Sequence, residues 1–256
     1  AAWSGLIRPD VFHSVAMMSA PFAGPPALPF DTDHAAPAKA PARSIHDDLA
    51  ALKRPRKHYQ WYYSTREAND NMWKCRQGVH TFMRAYYHHK SADWRQNQPF
   101  PLASWTAGEL EKMPTYYIMD LHEGMAETVA KEMPSASEIA GNTWLPEHEL
   151  AVYAEEYGRN GFQGGLQWYR CNTSGRNAAE LQVFSGRTLD VPSCFIAGQN
   201  DWGIYQRPGG DMIKMQKDAL TNMRGCHLVE GAGHWVQQEQ PEKVSALLLD
   251  FLKQQS

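Results

Sequence analysis

Hydrophobic and polar positions along the 256 residues follow two patterns. Towards the two ends, apolar residues come in short runs bounded by turn formers, which predicts strands at Val11–Ser19, Val191–Ala197 and Cys226–Glu230. In the middle, apolar residues recur at helical spacing instead. Helices are predicted from Ser44 to a stop at Pro55, and from a cap at Asn69 or Asp70 through Met72, Phe82, Met83 and Tyr86. Others fit Ala107–Met113, Gly124–Met133 and Pro146–Tyr157, the last with Pro146 in its first turn and Gly158 as its stop. Two more, Asp211–Leu220 and Pro241–Lys253, alternate with the late strands. Between Ala20 and Arg43 the prolines at 21, 25, 26, 29, 37 and 41 exclude both helix and strand ladder, so this stretch is an excursion out of the sheet layer.

Strand–helix alternation on both sides of a helical block predicts an α/β core carrying a lid. No strand alternation shows between Ser44 and Phe184, so that block reads as a purely helical insertion. The organisation is a core segment at residues 1–30, a helical cap with linkers at 31–184, and a second core segment at 185–256. The first residues, Ala1 to Arg8, read as the end of an amphipathic helix halted before Pro9, without an N-cap. A chain that opens inside a helix is expected to be a piece of a longer protein.

Composition narrows the function classes. A net charge of −3 gives no electrostatic case for nucleic acid or an anionic membrane surface. No apolar run is long enough to span a membrane. The four cysteines, Cys75, Cys171, Cys194 and Cys226, have no CxxC or metal-ligand spacing and read as reduced thiols of a cytoplasmic protein. Neither a metal nor a cofactor is called for, and oligomeric state is left open.

Candidate chemistry gathers where strands end. Gly231-Ala232-Gly233-His234-Trp235 follows one predicted strand, and Asn200-Asp201 follows another. An acid and a histidine at the carboxyl ends of successive strands form the later two-thirds of a nucleophile–acid–histidine order. Tyr59 and Tyr169 lie in aromatic settings within the lid, where two facing phenols could grip one ligand oxygen. Ser19 lacks a surrounding G-x-S-x-G and reads as a turn hydroxyl. His122-Glu123-Gly124-Met125-Ala126 opens like a zinc-protease helix but has alanine where the second histidine belongs. Tyr86-Tyr87-His88-His89-Lys90 reads as a solvated helix end.

Taken together, these residues resemble the α/β-hydrolase-fold epoxide hydrolases. The resemblance rests on Arg8-Pro9-Asp10-Val11-Phe12, Ser19-Ala20-Pro21-Phe22, Tyr59-Gln60, Trp168-Tyr169-Arg170, Gly198-Gln199-Asn200-Asp201 and Gly233-His234-Trp235-Val236-Gln237, in that order. It implies the C-terminal part of an α/β-hydrolase sheet with a helical cap inserted between strands, acting on a small lipophilic epoxide. It also implies that Tyr59 and Tyr169 hold the epoxide oxygen, Asp201 orients His234, and His234 is the general base. Trp61, Trp168, Trp235 and Phe22 would line the substrate pocket. The family's nucleophilic aspartate is expected about six residues upstream of Ala1, on an elbow outside this sequence, so the chain alone is expected to be inactive. A dehalogenase or esterase of the same fold would share Asp201 and His234. A hydrolase-like protein that binds apolar ligands without turnover is a third reading.

Overall fold

The computed structural model describes residues 1–28, 44–208 and 210–255. The part of the proline-rich excursion at 29–43 therefore lies outside the described residues. Helix α1 (Ala2–Ile7) leads into strand β1 (Val15–Met18), which is shorter than the apolar run, because 11–14 form a turn and an exposed approach. After the gap, α2 (Ile45–Ala50) starts on Ser44, whose Oγ accepts the Asp47 N–H.

The middle block is not purely helical. Strand β2 (Arg56–His58) precedes α3 (Tyr59–Ser64), and it pairs antiparallel with a later strand, residues Ile118–Asp120. A three-residue strand is too short to show alternation in sequence. Asp120 fixes the pairing by accepting from Arg54 and Arg56, and the two guanidiniums hold its carboxyl below the usual range. The single helix expected from Asn69 to Tyr86 is two, α4 (Glu67–Trp73) and α5 (Gly78–Lys90). Four residues of non-helical chain divide them, and Gly78 enters α5 at φ +74°.

Helix α6 (Ala107–Leu110) stops earlier than expected; β3 (Ile118–Asp120) and α7 (Met125–Ala130) follow. A helix not anticipated, α8 (Ala136–Gly141), is started by a Ser135–Glu138 capping box. In α9 (Glu147–Asn160), Pro146 is the N-cap rather than a first-turn residue, and the helix runs through Gly158. Its actual stop is Gly161, at φ +66°, a conformation glycine adopts without Cβ strain. Two more unanticipated helices, α10 (Gln163–Ser174) and α11 (Ala178–Gln182), complete the block.

The chain then returns to the sheet. Strand β4 (Ser193–Gly198), helix α12 (Asp211–Lys214) with a wide π-type turn at Met215–Ala219, and β5 (Met223–Val229) are followed by α13 (Val236–Glu239) and α14 (Pro241–Lys253). The strands pair in parallel in the order β1-β4-β5, with Val15 opposite Ser193 and Gly198 opposite Val229. Every β4 residue is buried, as the middle strand of a parallel sheet covered on both faces requires. Phe195 and Ala197 pack with Leu6, Val15, Met17 and Met215 on one face, while Ile196 joins Val229, Val236 and Val244 on the other. That two-residue alternation inside an unbroken apolar run is the pleat of the strand. A separate aromatic cluster, centred on Tyr62, Phe82, Tyr116 and Tyr117, fills the region between β1 and β4 in sequence.

Candidate functional site

Two chain reversals at the carboxyl ends of β4 and β5 bring Asp201 and His234 together. Gly198 lies so close to the histidine loop that a Cβ there would sit 2.0 Å from the Gly233 carbonyl oxygen and 2.3 Å from that of Ala232. Only glycine permits that approach. Asp201 is 1% exposed. One carboxylate oxygen accepts the Gly203 N–H at 2.7 Å, starting a tight turn at Trp202–Tyr205. Both oxygens face His234 Nδ1, at 3.1 and 3.2 Å. A carboxylate facing Nδ1 selects the tautomer protonated there, which leaves Nε2 as a lone-pair acceptor. Nε2 has no hydrogen-bond partner among the described residues.

The loop around His234 is held from three directions. The His234 N–H donates to the Lys90 carbonyl at 2.9 Å, and Trp235 Nε1 donates to the Tyr87 carbonyl at 2.8 Å. Ser19 Oγ donates to the His234 carbonyl from the end of β1, so this serine is a support for the loop. Glu239 accepts the Gly233 and Ala92 N–H groups on Oε2 and that of Trp235 on Oε1, at 2.7–3.0 Å. Burial nevertheless outweighs those three donors and pushes the Glu239 carboxyl up to about 7.

His234 opens onto a cavity of about 330 Å³. Its polar wall is built by Tyr63, Tyr86, Lys90, Tyr169, His234 and the Trp235 ring, and its apolar wall by residues such as Phe82, Met83, Phe162 and Leu166. Trp168 lies at the mouth, 66% exposed. Tyr59 stands behind Tyr169, with ring centroids 5.7 Å apart and edge to face. Its hydroxyl donates to Gln206 at 3.4 Å and accepts from Gln60 at 3.3 Å, both long bonds. Burial pushes Tyr59 up to about 12 and raises Tyr169 and Tyr63 as well, so all three phenols are proton donors at neutral pH.

Tyr59, expected to share one ligand oxygen with Tyr169, is thus not among the residues that line the cavity, and two residues expected to line it lie elsewhere. Phe22 packs edge to face on Trp3 in the core beside the sheet, 5.5 Å between centroids. Trp61, 37% exposed, turns outward against His46 and His58. It is one residue removed from the inward face of α3 that Tyr59, Tyr62 and Tyr63 occupy. The end of α5 also differs from its sequence reading. His89 is fully buried and Lys90 is 3% exposed, because the histidine loop and Tyr116–Tyr117 cover this last turn. With both ring nitrogens unpartnered among the described residues, His89 is pushed down to about 3 by burial and stays neutral. No group of three or more His, Cys, Asp or Glu placed to hold a metal occurs among the described residues. No described helix is long and apolar enough to cross a membrane. Sequence reasoning missed Tyr63, Tyr86, Lys90 and Glu239; the first two shared a helical face with Tyr59 and Phe82 that could have signalled them.

No protein-family model matches the chain. Among curated proteins it is similar to epoxide hydrolase B of Mycobacterium tuberculosis, 38% identical over 110 residues, which is 43% of this chain and 30% of that protein. Epoxide hydrolase A of the same organism is 40% identical over 111 residues, 43% of this chain and 32% of the relative. The bifunctional epoxide hydrolase 2 of Rattus norvegicus is 33% identical over 122 residues, covering 48% and 20%. Among solved structures, an epoxide hydrolase from an endophytic Streptomyces superposes with a TM-score of 0.68 at 23% identity, over 99% of this chain and 64% of that one. Epoxide hydrolase A from Mycobacterium thermoresistibile gives 0.66 at 25% identity, over 98% and 65%. The matched segments thus span about a third or less of the curated relatives, and the chain covers under two-thirds of the solved ones. The fold is that of the α/β-hydrolase epoxide hydrolases, and the chain is related to them in sequence.

Proposed function

We propose that this chain supplies the acid–histidine pair, the oxygen-holding tyrosines and the pocket of an epoxide hydrolase working through an ester intermediate. The observation that carries the reading is His234, held by Asp201 at 3.1 Å with Nε2 unpartnered among the described residues, on the wall of an aromatic cavity that also contains Tyr169. Residues 1–30 and 185–256 act as core and 31–184 as cap. This division is supported by a parallel sheet that, among the described residues, is built from β1, β4 and β5.

In the first half-reaction a carboxylate attacks an epoxide carbon, the carbon–oxygen bond breaks, and the leaving oxygen takes a proton from Tyr59 or Tyr169. Two buried phenols stabilise that developing charge in a site poor in water. To reach the oxygen, Tyr59 redirects its proton from the long Gln206 bond. No carboxylate lines the cavity among the described residues, and the attacking carboxylate is taken to be the family's elbow aspartate, which the resemblance places upstream of Ala1. In the second half-reaction Nε2 takes a proton from water, and the resulting hydroxide attacks the ester carbonyl. Carboxylate and diol part, the imidazolium proton returns to the tyrosinate left by ring opening, and Asp201 stabilises the imidazolium in the interval. Trp168 and Trp235 flank an apolar substrate. Four unpaired thiols fit a cytoplasmic setting.

In the full-length protein, His234→Gln should trap the ester, seen as a protein mass increased by that of the epoxide. Tyr169→Phe should slow its formation roughly ten- to thousand-fold, the scale of losing one transition-state donor. A His234→Gln protein that turns over normally, or gains no adduct with a substrate the wild type consumes, would remove the base assignment.

A further inference from the structure

Among the described residues β5 ends the sheet on one side, with β4 as its one neighbour. The Val229 carbonyl accepts the Gln199 N–H on the β4 side. Backbone groups of a strand point alternately to its two sides, so those of Cys226 and Leu228 face away from β4. The Glu230 carbonyl, next in that alternation, takes the Lys243 ammonium at 3.2 Å. Alongside this edge lies a groove of about 530 Å³, whose helical side is Lys243, Ala246, Leu247 and Asp250 of α14. Leu228 also lines it and is 42% exposed, although Ala197, opposite it on β4, is fully buried. An open strand edge beside an apolar groove is a template for another strand.

The charges decide which strand fits. Along β5 and just past its end come Arg224, Cys226, Leu228 and Glu230, the two charged residues both exposed. Along the groove side of α14 come Lys243, Ala246, Leu247 and Asp250. Each series runs from a cation through two uncharged residues to an anion. Such a series is complementary to itself reversed, and a twofold axis between two copies performs that reversal. Setting Cys226 opposite Leu228 of a second copy brings Arg224 opposite its Glu230 and, on the helices, Lys243 opposite its Asp250. Sliding the strands by two residues in either direction sets each charge on β5 opposite an uncharged residue. Opposite charges facing each other across a strand pair therefore select one register. Arg224 is the extra residue of the bulge beside Ser193 and Cys194, so its side chain takes part and its backbone does not. The contact Asp250 makes within its own helix, with Lys253 at 3.5 Å, lies in solvent and competes weakly.

We propose that β5 and α14 form an interface through which two copies of this protein associate about a twofold axis, joining their sheets edge to edge. The proposal is independent of the epoxide-hydrolase reading. Sedimentation velocity of the full-length protein over a concentration series should show a reversible dimer. Asp250→Lys sets lysine against lysine twice in that dimer, and Lys243→Asp sets aspartate against aspartate twice. Each alone should raise the dimer Kd roughly a hundred-fold or more, as like charges across an interface do. An equimolar mixture of the two variants restores a lysine–aspartate pair at both contacts. It should therefore dimerise within about ten-fold of the wild-type Kd. Circular dichroism checks that each variant folds. If either fails, Arg224→Glu mixed with Glu230→Arg applies the same test on the strand. A monomeric full-length wild type would overturn the proposal and give the edge to another segment or another protein. Single variants that dimerise as the wild type does, or a mixture that stays monomeric, would overturn it as well.

Discussion

The histidine loop and the aromatic wall face each other across one cavity, but different forces hold them. The loop at 231–235 is fixed by directional bonds: backbone N–H groups donate to Lys90 and Glu239, the Trp235 indole to Tyr87, and Asp201 grips Nδ1. The wall, from Tyr63 and Tyr169 to Phe82 and Phe162 with Tyr59 behind it, is held by area and by ring edges meeting ring faces at 4.9–5.7 Å. Directional bonds fix a position to fractions of an ångström and fail when one atom changes. Area tolerates exchange among shapes of similar volume. A reacting base needs the first kind of support, whereas a pocket that must accept an apolar molecule can use the second.

The sharpest way to break the loop is through its glycine crossing. Gly198→Ala would place a methyl 2.0 Å from one backbone carbonyl and 2.3 Å from another, neither free to yield while Asn200 N–H is bonded to Ala232. A loss of about 3 kcal/mol or more is expected, a fall in Tm of roughly 6–12 °C. A fall under 2 °C would show that the two strand ends can separate cheaply.

A smaller effect, of known sign, comes from Glu239. Burial raises its folded carboxyl to about 7, above the ~4.3 of an unfolded chain. The stability linked to it is therefore fully present below about pH 4.3 and is lost as pH rises through about 7. Urea midpoints for the wild type should fall relative to Glu239→Gln between pH 5 and 8, since the amide does not titrate. Parallel profiles would mean that the three N–H donors, not burial, control this group.

The smallest effect belongs to the wall. Tyr63→Phe keeps the ring and removes only the donor to Tyr86, so a cost within about 1 kcal/mol is expected. A loss above 2 kcal/mol in thermal unfolding would place this wall among the directionally held parts of the molecule.

That Asp201 and His234 stand together was legible in sequence because the signal is local, polar residues just past apolar strand runs; the place of Tyr169 beside the cavity came from the resemblance. Helix α14 was legible for the same reason, its Pro241 start and apolar spacing both being contained in thirteen residues. The end of α5 was not. His88-His89-Lys90 is a charged run that reads as solvated, and its burial is decided by partners from 116–117 and 235, far away in sequence. Glu239 was hidden in the same way, since Gln237-Gln238-Glu239-Gln240 shows no apolar pattern. The strands β2 and β3 were too short to alternate visibly. Trp61 and Phe22 were placed at the pocket by likeness alone, without a test of which helix or sheet face each one occupies.

The pairing of β1 with β4 has a consequence in time. Val15 lies opposite Ser193, so 178 residues (193 − 15) separate partners that are adjacent in the sheet. At translation rates of roughly 5–20 residues per second, β1 emerges about 10 to 35 s before the strand that covers its edge. The aromatic block made in that interval has its own cluster, centred on local helices, and can collapse first. Val15 and Met17, buried in the finished sheet, spend that interval without their partner strand. The acid and the histidine are assembled later still, since Asp201 and His234 meet only after β5 has docked on β4. During synthesis, the pocket wall can therefore form before the pair that faces it.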